Sequence, residues 1–141
     1  MAEVLVVDDD ADSCEVISRF LTRFGHVVRC VPNGQDALAA LGTLVPDFIV
    51  LDVRMPGMDG VALLRVIRSY LRWSDVPVAI VTAYPEDPRL QSLANLGVKR
   101  VFGKANFVFD ELLDCVSRSV SPHTAAPPPS KPPQQPPTAS A

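Results

Sequence analysis

The stretch Phe48–Gly60 reads "FIVLDVRMPGMDG". Four apolar residues without a polar break are the pattern of a strand buried on both faces, where the usual alternation disappears. The run ends in Asp52, a carboxylate at the mouth of a buried element, where desolvation opposes its charge. A proline and two glycines turn the chain. Asp59 then precedes an apolar set at helical spacing: Val61, Leu64, Ile67 and Leu71. This is a strand, a loop and a capped helix in sequence. A strand of this kind needs parallel neighbours and helices on both faces of its sheet.

The same unit recurs on either side. Strands are expected at Val4–Val7, Val27–Val31, Val76–Val81 and Val98–Phe102. Between them, Cys14, Ile17, Phe20, Leu21 and Phe24 line one helical face that Gly25 ends. Ala37, Leu38 and Leu41 follow the cap candidate Asn33 and stop at Gly42. Asp87 caps a helix with Pro88 at its first position, carried on by Leu90, Leu93 and Ala94 and closed by Gly97. Phe109, Leu112, Leu113 and Val116 form the last apolar face. Five βα units predict a doubly wound α/β domain over residues 1–120.

Composition breaks at Val120. The segment Ser121–Ala141 holds more than half of the chain's 14 prolines and no large apolar residue. It cannot bury enough surface to offset its ordering entropy, so a disordered, partly polyproline-II tail is expected. Its PxxP spacings, Pro129 to Pro132 and Pro133 to Pro136, are read as linker composition. The net charge of -3 argues against a general affinity for nucleic acid or anionic membrane. Cys14, Cys30 and Cys115 form no CxxC pair and are read as packing thiols in a reduced compartment. The opening "MAEVLVV" is too short for a signal peptide, and no run reaches the ~20 apolar residues of a membrane helix. A cytoplasmic location is the expectation.

In doubly wound folds the chemistry lies beyond the carboxyl ends of the strands. There the sequence places Asp8, Asp9 and Asp10 after strand one, Asp52 after strand three, Thr82 at the end of strand four and Lys104 after strand five. Asp10 reads as a helix N-cap. Several carboxylates converging on one edge suit a hard divalent cation, Mg²⁺ above all. An ionised Asp52 in that setting can attack a phosphoryl group and become an acyl phosphate. Lys104 would offset charge on the phosphoryl oxygens, and the Thr82 hydroxyl would donate to one of them. Taken singly, each residue has a plainer reading. The Asp8–Asp9 pair can be a cap and a solvated charge, Asp52 a loop cap, Thr82 a strand residue and Lys104 a surface lysine. Their joint placement carries the argument. Arg65, Arg68 and Arg72 share a helical face and read as a solvated stripe, and Trp73 as an anchor for the loop before strand four.

The pieces "LVVDDD", "FIVLDVRMPGMDG", "VAIVTAY" and "VFGKA", in this order, resemble the receiver domain of bacterial two-component response regulators. The resemblance implies a flavodoxin-like (βα)5 fold, its five-stranded parallel sheet in the order 2-1-3-4-5. It implies Asp52 as phosphoacceptor. It implies Mg²⁺ held by Asp8, Asp9 and Asp52 together with the backbone carbonyl of Arg54, and Thr82 and Lys104 as the phosphoryl-sensing pair. The phosphoryl donor would be a histidine kinase or a histidine phosphotransfer protein. Output would pass to a downstream protein target, with no direct nucleic-acid contact and no membrane insertion. Such a single-domain regulator is a phosphoacceptor signalling protein that catalyses only its own phosphotransfer and dephosphorylation. Two positions depart from the pattern. Ala105 follows Lys104 where the family usually has proline, which frees the following loop. Val101 stands where the family often has a switching aromatic. Phe102 should point to the opposite face, into the core. Tyr84 is the ring left near Thr82, so the switch candidates are Thr82, Tyr84 and Val101. Two rivals are weighed. Asp-x-Asp after strand one resembles the nucleophile motif of haloacid-dehalogenase phosphatases, but Asp12 stands where that motif needs Thr or Val. A binding-only pseudo-receiver would lack the acceptor or the metal pair, and this chain has both.

Overall fold

In a computed structural model that describes residues 1–124, each expected strand is followed by a helical element. The order is β1 Glu3–Val7, α1 Ala11–Arg23, β2 Val27–Val31, α2 Gly34–Thr43, β3 Phe48–Leu51, α3 Gly60–Ser69 and β4 Val78–Thr82. A 3-10 helix at Pro88–Leu96, β5 Val98–Gly103, a short 3-10 turn at Lys104–Asn106 and α4 Phe109–Thr124 complete it. The five strands form one sheet in the order β2-β1-β3-β4-β5, and every pairing is parallel. This is the doubly wound, flavodoxin-like arrangement expected from the sequence.

Strand alternation divides the apolar residues between two cores. Leu5, Val7, Ile49, Leu51, Val78 and Ile80 face α2, α3 and the 3-10 helix. Val4, Val6, Phe48, Val50, Ala79, Val81 and Phe102 face α1 and α4. The central strands β1, β3 and β4 carry both sets and are buried almost throughout, whereas β2 at one edge is half-exposed. Four helical starts are capped as the sequence indicates. Asp10, Asn33, Asp59 and Asp87 accept from the backbone N–H of Asp12, Asp36, Ala62 and Arg89. Each such bond is worth about 1 kcal/mol and fixes where its strand-to-helix loop must end.

Four details differ from expectation. Phe24 lies beyond the end of α1, exposed and packed on Phe20 with ring centroids 5.0 Å apart. Leu71 is 92% exposed because α3 stops at Ser69. The fourth helix is 3-10 rather than α. Its inward residues are Leu90, Leu93 and Leu96, while Ala94 is exposed. A spacing of three aligns side chains on a 3-10 helix and drifts on an α-helix, so the leucines favour the tighter winding. Arg68 is no solvated side chain. Its guanidinium donates to the carbonyls of Leu96 (2.7 Å), Val76 (2.7 Å), Ser74 (3.1 Å) and Trp73 (3.3 Å), tying α3 to two loops.

Helix α4 continues through Ser121–Thr124, past the sequence boundary at Val120. The remainder of the proline-rich segment, with its PxxP spacings, lies outside the described residues. No described helix is long and apolar enough to cross a membrane.

Candidate functional site

The site is assembled by the register of the sheet. Val7 pairs with Leu51, so the next residues, Asp8 and Asp52, emerge side by side. The Asp52 N–H donates to the Val7 carbonyl at 2.9 Å and carries the ladder to that point. Asp8 is held by its own turn, its Oδ1 accepting from the Asp10 N–H at 2.9 Å. Asp52 Oδ1 accepts from the Val53 N–H at 2.9 Å, which leaves Oδ2 facing the cluster. Asp8 and Asp52 are buried and Asp9 is exposed at the rim. Each of the three offers a carboxylate oxygen, all within 4.8 Å of one another. From the end of β5, Lys104 reaches across. Its Nζ lies 2.9 Å from Asp8 Oδ2 and 3.8 Å from Asp52 Oδ2.

The electrostatics follow from burial. Desolvation first, then the charge of Asp8, pushes the Asp52 carboxyl up to about 7, against the pull of Lys104 and the Val53 N–H. Desolvation opposes the charge on Lys104, but its hydrogen bond to Asp8 and the charges of Asp52 and Asp8 outweigh that, and its pKa is raised. Three carboxylates face a single ammonium, so the cluster holds an excess of negative charge. All three donors are hard oxygens converging on one point. Among the metals this set fits Mg²⁺, a hard divalent cation held by a few carboxylates with the rest of its shell water.

Thr82 ends β4 fully buried, opposite Gly103, so it stands beside the strand end that carries Lys104. Its Oγ1 accepts from the Tyr84 N–H at 3.0 Å, which leaves the hydroxyl proton free to be donated. Val101 is 40% exposed on β5, and Phe102 is buried at 4% against Phe107. The alternation expected at these two residues is therefore present.

One part of the site escaped the sequence reading. The Arg54 side chain leaves the acidic cluster, lies 3.9 Å above the Tyr84 ring and pairs with Asp87 Oδ2 at 3.3 Å. Arg89 bridges Asp87 (3.0 Å) and the α3 cap Asp59 (2.6 Å). Arg89 is the chief reason that the Asp87 carboxyl is held down to about 2. The network fastens the loop after β3 to the loop after β4. Only the spread of its members along the chain hid it. Gly60 is equally specific. A Cβ there would lie 2.2 Å from the Asp52 carbonyl oxygen and 2.8 Å from Val53 Cα, so the first turn of α3 sits directly on the backbone of Asp52.

A parallel five-stranded sheet with an acidic cluster at the end of β1 and β3 and a lysine opposite defines a receiver. The family model for the response regulator receiver domain matches residues 4–117, and the chain belongs to that family. Among curated relatives, the DNA-binding transcriptional regulator NtrC of Salmonella typhimurium is 38% identical over 118 residues, covering 84% of this chain and 24% of that protein. NtrC of Escherichia coli is 37% identical over the same length, again 24% of that protein. The chain thus spans about a quarter of the length of these relatives. Among solved structures, the receiver domain of a signal transduction histidine kinase from Syntrophus aciditrophicus has a TM-score of 0.79 at 27% identity, covering 89% of this chain and 94% of that one. The chemotaxis protein CheY4 of Vibrio cholerae has a TM-score of 0.76 at 28% identity, covering 84% and 98%. Receiver domains are phosphoacceptor modules that interact with histidine kinases and bind Mg²⁺ at an acidic cluster. Here the matching group is Asp8, Asp9 and Asp52.

Proposed function

We propose that this chain accepts a phosphoryl group on Asp52 from a histidine kinase or a histidine phosphotransfer protein and signals through protein–protein contacts. The observation that carries the reading is the convergence of the Asp8, Asp9 and Asp52 oxygens within 4.8 Å, with Lys104 Nζ against two of them. In the transfer, Asp52 Oδ2 attacks phosphorus. The new P–O bond forms as the donor's P–N bond breaks, and the imidazole departs with the electron pair. Lys104 leaves its pairing with Asp8 to follow the negative charge onto the phosphoryl oxygens, and the Thr82 hydroxyl donates to one of them. Asp8 and Asp9, with Asp52 and the Arg54 carbonyl, would hold Mg²⁺, whose charge keeps Asp52 ionised and offsets that of the phosphoryl group. The chain acts on no separate substrate and catalyses only its own phosphotransfer and dephosphorylation. Its work lies in the cytoplasm. DNA binding is named for the whole NtrC proteins. With a net charge of -3 in this chain, the output proposed for it is a downstream protein.

The response to phosphorylation runs through Tyr84 rather than Val101. Tyr84 starts two residues past Thr82, is hydrogen-bonded to it, and lies under the Arg54 guanidinium. Removal of Thr82 from that bond frees the ring and the Arg54–Asp87 pair with it. Labelling with acetyl phosphate and Mg²⁺ followed by peptide mapping tests the acceptor. Asp52 should carry the label, and Asp52→Asn should abolish it. Label on Asp8 would instead support the phosphatase reading. With beryllofluoride and Mg²⁺, NMR shifts should concentrate at Thr82–Glu86, and the largest side-chain changes at Val101 and Phe102 would overturn the proposed switch.

A further inference from the structure

Cys14 and Cys30 play no part in this chemistry, yet they meet beside the site. Cys14 lies on the buried face of α1, and its Sγ donates to the Asp8 carbonyl at 3.5 Å. Cys30 lies on β2, an edge strand of the sheet, and is exposed. Its Sγ donates to the Cys14 carbonyl at 3.5 Å, which ties the two cysteines together across α1 and β2. Both line one open cavity of about 320 Å³, with Asp8, Asp9 and Glu15 along its wall. Solvent-borne reagents therefore reach Cys30 from outside while Cys14 waits behind it. Cys115, on α4, belongs to the opposite end of the sheet order, where Lys99 and Arg100 are its neighbours.

We propose that Cys14 and Cys30 are a modification site that closes to an intramolecular disulfide under peroxide. The exposed Cys30 thiolate attacks one oxygen of hydrogen peroxide. The O–O bond breaks, Cys30 is oxidised to the sulfenic acid, and the departing hydroxide takes a proton to leave as water. The Cys14 sulfur then attacks the Cys30 sulfur. The S–S bond forms, the S–O bond breaks, and the Cys14 proton leaves with the hydroxyl as a second water. Two thiols and one peroxide give one disulfide and two waters. The thiol hydrogen that Cys14 offers to the Asp8 carbonyl is lost in the process, so the bond forms directly under the acidic cluster. A thiol reductant reverses it.

The inference is independent of the role proposed for Asp52 and has its own test. The full chain is treated with equimolar hydrogen peroxide, then denatured, alkylated and mapped by mass spectrometry without reductant. The expected result is a monomer that has lost two hydrogens, with the Cys14 and Cys30 peptides linked, Cys115 still alkylated, and full recovery with dithiothreitol. Cys115→Ser should behave like the wild type. Cys14→Ser should leave Cys30 as a sulfenic acid that dimedone traps. Three results would overturn the proposal: a dimer linked through Cys30, Cys30 driven to sulfinic acid while Cys14 remains alkylatable, or no oxidation of either thiol before Cys115.

Discussion

Replacing Asp52 with asparagine should stabilise the metal-free protein at alkaline pH. In the fold the Asp52 carboxyl is pushed up to about 7 from an ordinary 3.8, first by burial and then by Asp8. Between those values the native state binds more protons than the unfolded chain, so stability falls as pH rises. The favourable contribution is complete below 3.8 and is lost as pH rises through about 7. A shift of that size sets a ceiling of about 4 kcal/mol. Screening by water at the rim reduces it to about 1–3 kcal/mol. Asparagine keeps the shape and cannot ionise. Urea unfolding of wild type and Asp52→Asn in EDTA, at pH 5 and pH 8, measures the difference. The variant should gain about 1–3 kcal/mol at pH 8 and much less at pH 5. A difference that is zero or negative at pH 8, or that does not change with pH, would refute the account of a strained acidic cluster.

Mg²⁺ should act on the same strain. It should raise the melting temperature of the wild type, by the equivalent of about 2–3 kcal/mol at a hundredfold excess over Kd, and calorimetry of Asp9→Ala should show most of that gain lost. Arg68→Ala withdraws donors from four carbonyls and should cost about 2–4 kcal/mol in urea unfolding, with Arg68→Lys recovering only part because one ammonium cannot serve the same fork. The two glycines Gly60 and Gly42 should respond with opposite signs. Gly60→Ala drives a methyl into the Asp52 backbone and should cost about 3 kcal/mol or more, while Gly42→Ala, which meets nothing within 4 Å in α2, should gain about 0.5–1 kcal/mol. Thermal melts of the pair check this directly.

The legible parts of this molecule were those in which local sequence and tertiary position coincide. Strands buried on both faces lose their alternation, so "FIVL" and "VLVV" identify the centre of the sheet. The cap residues Asp10, Asn33, Asp59 and Asp87 sit one step before their helices, and their short side chains reach back to the first backbone N–H groups. Asp8, Asp52, Thr82 and Lys104 were visible because each ends or directly follows a strand, and parallel strands present those ends together. The order of the strands came from the family resemblance, since periodicity says nothing of which neighbour a strand takes. Arg68 was misread because three arginines at helical spacing look alike until the loop carbonyls that one of them meets are in place. The Arg54–Tyr84–Asp87–Arg89–Asp59 network was invisible for a related reason. Its members come from two loops and the first turn of the 3-10 helix, and the local signals that mark Asp59 and Asp87 as caps say nothing of the arginines they meet.

The tight winding of Pro88–Leu96 sets the distance that the segment spans. At about 2.0 Å per residue a 3-10 helix is longer than an α-helix of the same residues at about 1.5 Å, so rewinding nine residues would shorten the segment by about 4–5 Å. One end is moored, since Leu96 is tied to Arg68 and Gly97 turns the chain directly into β5. The other end is held by the Asp87 cap on the Arg89 N–H, by the Asp87 N–H on the Tyr84 carbonyl, and by the ion pairs of Asp87 with Arg89 and Arg54. A shortening of that size would pull on the Tyr84–Asp87 end, beside Thr82, and would turn the leucines out of register with the sheet.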